Sequence, residues 1–142
     1  DAYLFGSLIA QIFSGVTITQ AVLAKLPETH QPKPWGDGYA TLLPRLREAF
    51  DAVVVELRPS WPYQAEDPKI AAKMELTVRQ LCDPDPARRG YPGAASTVNP
   101  LDMQRYISVL DALILQASLA EREKARRLKE LMAAPANAPA TA

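Results

Sequence analysis

Thirteen prolines, and where they fall, constrain this chain more than any other feature. Proline fixes φ and lacks a backbone donor, so it opens helices or ends them and is costly inside them. Here the prolines lie mostly between apolar runs that repeat with helical period. The first run pairs Leu4-Phe5, Leu8-Ile9 and Ile12-Phe13 at four-residue spacing, which describes one wide helix face. Ser14-Gly15 supplies its stop, because glycine tolerates the left-handed conformation that ends helices. A shorter apolar piece, Ile18 to Leu26, halts before Pro27. Pro27 to Gly38, with three prolines, two glycines and Trp35, reads as a loop.

The spacing predicts a second helix from about Thr41 to Leu57. Leu42, Leu46, Ala49-Phe50, Val53-Val54 and Leu57 line one side, and Arg45, Arg47, Glu48, Asp51 and Glu56 the other. Pro59 and Pro62 enforce a turn around Trp61. A third helix, Pro68 to Cys82, buries Ile70, Met74, Thr77-Val78 and Leu81. Proline suits its first turn, and Asp83-Pro84 ends it. After a connector from Gly90 to Pro100, Asn99 is placed to cap the longest helix, with Asp102 at its positive end. Met103, Tyr106-Ile107, Leu110, Leu113-Ile114 and Ala117 form its expected buried stripe. The organisation is therefore all-α, with a helical body over 1–119, a charged helical extension over 120–132 and a disordered tail over 133–142.

Composition narrows the function classes. A chain of 142 residues supports one domain and buries roughly 68–70% of its unfolded surface. Sixteen basic residues balance sixteen acidic ones, which argues against a nucleic-acid partner. One cysteine excludes an internal disulfide, and one histidine excludes a histidine-based zinc site. The reducing, cytoplasmic compartment is the expected setting. Tyr3 to Val16 is apolar but interrupted by Gly6, Ser7, Gln11, Ser14 and Gly15, short of the ~20 residues a span needs. It reads as a buried core helix, and no membrane partner is expected.

Phosphate-cradling glycine loops are missing from the sequence, and Gly36-Asp37-Gly38 reads as a turn. Asp83 and Asp85, flanked by prolines, also read as turn residues. Cys82, at the end of an apolar face, reads as a small buried residue, and His30 as an exposed loop residue. Trp35, Trp61 and Tyr63 are placed to plug the core from loops. Arg122, Lys124, Arg126, Arg127 and Lys129 interleave with Glu121, Glu123 and Glu130, a pattern that suits a solvated helix. Trp35, Trp61, Arg126 and Arg127 are the candidate docking residues, and no metal ligand is assigned.

Two segments carry a resemblance. Asp1-Ala-Tyr-Leu-Phe-Gly-Ser-Leu-Ile-Ala-Gln-Ile-Phe-Ser-Gly15 resembles the central helix of the protein kinase large lobe, D-x-[WY]-S-[FL]-G followed by apolar residues and a small-glycine stop. Leu81-Cys-Asp-Pro-Asp-Pro-Ala-Arg-Arg89 resembles the L-x-x-D-P-x-x-R end of a later helix of that lobe. The two occur in kinase order, and the likeness spans roughly residues 1–115 with fitted motifs at its ends.

The resemblance implies structural roles. Asp1 corresponds to the aspartate that accepts hydrogen bonds from the catalytic-loop backbone. Gly6 corresponds to the glycine that permits close packing on the central helix. Arg89 corresponds to the arginine that pairs with the glutamate closing the activation segment, a task suited to its planar fork. Leu4 replaces the usual serine, and Gly90 replaces a common proline.

The glycine-rich loop, strand lysine, catalytic aspartate and magnesium-binding aspartate all precede the central helix in kinases. The expectation is therefore the C-terminal part of a kinase-like domain, Ser/Thr-type or pseudokinase, with no catalytic residue of its own. ATP and magnesium are expected only with an upstream part. The implied partners are that part, another protein or a second copy of this chain. With its glutamate expected upstream, Arg89→Ala is expected to be nearly silent here. The rival expectation is an independent helical adaptor that binds proteins.

Overall fold

The computed structural model describes residues 2–31, 38–90 and 103–133. They form five α-helices: α1 (Ala2–Ser14), α2 (Ile18–Lys25), α3 (Tyr39–Leu57), α4 (Pro68–Cys82) and α5 (Met103–Ala133). Single 3-10 turns occupy Glu28–His30, Arg58–Ser60 and Pro86–Arg88. Among the described residues there is no strand, so the all-α expectation holds.

Local chemistry explains the boundaries. Gly15 adopts φ 79° and donates its N–H to the Gln11 carbonyl at 2.9 Å, closing α1. The Thr17 hydroxyl accepts the Gln20 N–H at 3.2 Å and caps α2. The Ser7 hydroxyl accepts the buried Ile18 N–H at 3.1 Å, so a side chain of α1 satisfies an orphan donor of α2. Asp67 accepts the Lys69 N–H at 3.1 Å, with Pro68 at the first position of α4. α3 begins at Tyr39, two residues earlier than expected, and Pro44 lies inside it, as it does inside the expected helix. The helix forgoes one ladder hydrogen bond there, and its buried residues all lie C-terminal to it, from Ala49 to Leu57.

The closest pairing in the core is α1 on α4, and α2 packs on α3. Ile9 and Ala10 of α1, Ile18 and Val22 of α2, Phe50, Val53 and Val54 of α3, and Met74, Val78 and Leu81 of α4 are buried together. Trp61 enters this core from the turn after α3, with Phe13 edge-on at 6.5 Å between ring centroids.

Two expected faces differ from the structure. α1 is not a fully buried helix: Leu4, Leu8 and Ile12 are 64%, 51% and 67% exposed along one side. On α5, Tyr106 and Leu113 are buried but Ile107 and Ile114 are exposed. Successive helical residues are turned about 100° apart, and α5 touches α4 along a narrow stripe that holds only one member of each pair. No single described helix is long and apolar enough to cross a membrane. The charged extension is helical and continuous with α5 through Ala133. The tail over 134–142 lies outside the described residues.

Candidate functional site: the junction of α1 with the turn after α4

Gly6 sits where α1 and α4 come closest. A Cβ placed on it would lie 2.6 Å from Cys82 Sγ and 2.7 Å from Leu81 Cβ, well inside contact distance. Only a hydrogen at this position lets the two backbones approach so near. The Cys82 thiol donates to the Tyr3 carbonyl at 3.5 Å. Burial pushes that thiol up to about 12, which leaves it unionised and inert at neutral pH, as expected of a small buried residue.

Tyr3 projects from the first turn of α1 over the turn after α4. Its hydroxyl and that of Thr19 share a hydrogen bond at 2.8 Å, tying α1 to α2. Burial raises its pKa above the usual phenol value, partly offset by the Thr19 bond. The Arg89 guanidinium lies over its ring, 4.8 Å from the centroid. Arg89 Nε donates to the Asp83 carbonyl at 2.8 Å. Among the described residues no carboxylate is within ion-pair distance of Arg89.

The turn itself is built by its aspartates. Asp83 accepts the Asp85 N–H at 2.8 Å, and Asp85 accepts the Ala87 N–H at 3.0 Å. Asp85 also pairs with Arg47 of α3, and Tyr39 donates its hydroxyl proton to the Pro84 carbonyl. Gly90 takes φ 103° and donates its N–H to the Gln80 carbonyl at 2.8 Å. A proline could make neither the angle nor the bond, which accounts for glycine at this position.

The candidate residues fall into three groups. Gly6 and Arg89 meet at this junction, joined by Tyr3. Asp1 and Trp35 lie outside the described residues. Trp61 is 2% exposed and Arg126 and Arg127 stand on α5. Trp61 therefore cannot present a docking surface; it is a core residue. The Arg126 fork is bound to Glu123 at 2.8 Å and to Glu130 at 2.8 Å, and Arg127 to Glu123 at 2.9 Å. These side chains stay in solvent but hold one another.

Sequence reasoning missed Tyr39 and Arg47, whose partners lie 45 and 38 residues away. It also missed a second polar group, in which Glu75 receives Arg58 Nε at 2.8 Å and Arg79 Nε at 3.0 Å while Arg79 reaches Asp51. The hydrogen bond from Arg58, ahead of that from Arg79, holds the Glu75 carboxyl below the usual carboxylate range. The i, i+4 spacing of Glu75 and Arg79 was the one readable signal for it. Among the described residues no group of three or more His, Cys, Asp or Glu is placed to hold a metal ion. Compared with known proteins, the chain matches no family model, no curated protein and no solved structure.

Proposed function

We propose that this chain is the helical base of a protein kinase-like domain, Ser/Thr-type or pseudokinase, contributing a rigid frame and a docking surface rather than catalytic groups. The observation that carries this reading is the meeting of its two motif segments. Gly6 and Tyr3 from the first segment pack on Leu81, Cys82 and Arg89 from the second. Sequence order alone joined those segments. The uncharged exposed side of α1, Leu4, Leu8 and Ile12, adds support, because an upstream part of the same domain would cover it. In an intact, active parent the activity is ATP- and magnesium-dependent protein phosphorylation; in an inactive one it is scaffolding. A cytoplasmic setting belongs to this reading.

The second reading is a helical adaptor. It is favoured by the exposed Leu128, Leu131 and Met132 on the last turns of α5, which offer a partner helix an apolar edge. The reading frame upstream of Asp1 decides between them. A strand lysine, a catalytic-loop aspartate and a magnesium-binding aspartate there support an active kinase parent. A kinase-like upstream region lacking all three supports a pseudokinase scaffold. A frame with no kinase-like region overturns the first reading and leaves the adaptor.

A further inference from the structure

A cavity of about 210 Å³ opens between α1, α2, α3 and the turn after α4. Ile18, Val22, Leu46 and Phe50 supply apolar wall, and Tyr3 and Arg89 supply polar lining. A dry apolar cavity of about 150 Å³ holds benzene. This one has room for a six-membered ring and one further functional group.

The polar groups around it are not equivalent. The Tyr3 hydroxyl is engaged with Thr19, the Tyr39 hydroxyl with the Pro84 carbonyl and the Cys82 thiol with the Tyr3 carbonyl. Arg47 is paired with Asp85. Arg89 spends only Nε, on the Asp83 carbonyl, and its two terminal nitrogens carry no hydrogen bond or ion pair among the described residues. The Tyr3 ring lies beneath the guanidinium, its centroid 4.8 Å from the central carbon. A planar fork of donors matches the two oxygens of one carboxylate.

We propose that this cavity binds a small apolar carboxylate of about benzoate size, its ring or branched chain among Ile18, Val22, Leu46 and Phe50 and its carboxylate on Arg89. A neutral ligand would leave the fork unmatched. A phosphate ester would lack the second cation that its charge calls for, since Arg89 is the one cationic side chain among the described lining residues. The kinase resemblance plays no part in this inference, and the upstream reading frame does not bear on it.

The test is titration of the full 142-residue chain with sodium benzoate and, separately, with benzyl alcohol, followed by amide NMR shifts. The expected result is saturable shifts at the cavity lining, with benzoate bound about ten-fold more tightly than the alcohol. Arg89→Gln should abolish that preference, benzoate binding no more tightly than the alcohol. Absence of saturation with benzoate, equal affinity for the two probes, or an undiminished preference in Arg89→Gln overturns the proposal. Should that variant fail to fold, the comparison of the two probes on the unaltered chain still decides.

Discussion

Single atoms decide the junction. Gly6→Ala would gain roughly 1 kcal/mol of helix propensity, yet its methyl would sit 2.6 Å from Cys82 Sγ and 2.7 Å from Leu81 Cβ. Overpacking of that kind costs about 1–3 kcal/mol, and we expect the loss to win in thermal melts. Cys82→Ala in the same chain should restore only part of it, because Leu81 Cβ is fixed to the α4 backbone. Full rescue would show that the two helices are free to separate. Cys82 also predicts a pH dependence. Its folded pKa is raised to about 12, whereas an unfolded thiol ionises near 9. The unfolded state thus sheds this proton first, and the stability contribution, intact below pH 9, falls as pH rises toward 12. A thiol reagent at pH 8 should label the unfolded chain at once and the folded chain only through opening. Arg89 revises the expectation of a silent substitution: with a carbonyl bond and a ring contact in place, Arg89→Ala should cost about 1–2 kcal/mol of stability.

At the scale of elements, the helices were the legible part. Proline and glycine punctuation placed Pro68–Cys82 as observed and Ile18–Lys25 to within a residue. Period placed the inner face of α3 from Leu46 to Leu57, which is buried or packed on the core, but also assigned it Leu42, which lies before Pro44 and outside the core cluster. The site was legible only in part. Gly6 and Arg89 were marked by a resemblance, but periodicity contains no term for what lies across a gap of 79 residues, the separation of Tyr3 and Cys82. Tyr39 and Arg47 carried no local signal at all. The exposed half of α1 was misread for a related reason: hydrophobicity reports what a residue favours, not whether a neighbour exists to cover it. The extension of α5 makes its own prediction. Hydrogen bonds first from Arg126 and then from Arg127 hold Glu123 down to about 2. Its charge is therefore retained as pH falls through the ordinary carboxylate range and lost near pH 2. Helix signal from the extension should survive to about pH 3 and weaken below that, and Glu123→Gln should remove the acid step in circular dichroism.

For the whole molecule, the distribution of apolar surface sets the behaviour. α1 carries no charged residue over Ala2–Ser14, and its outward Leu4, Leu8 and Ile12 form an aliphatic strip. We expect concentration-dependent association of the chain in sedimentation velocity, relieved by Leu8→Lys with little change in melting temperature. A monodisperse wild-type chain at high concentration would show that the strip is tolerated in water. α5 has a different consequence. Beyond Leu113, the last of its residues sealed in the core, Ala117 still packs on the core and Lys124 pairs with Glu66 at 3.8 Å, so Ala133 stands nine residues, about 14 Å, past that ion pair. A pivot of about 10° at that ion pair sweeps the tip through about 2 Å. The far end of α5 is thus moored to the segment that leads into α4, and a spectroscopic label at its tip would report on how that segment sits.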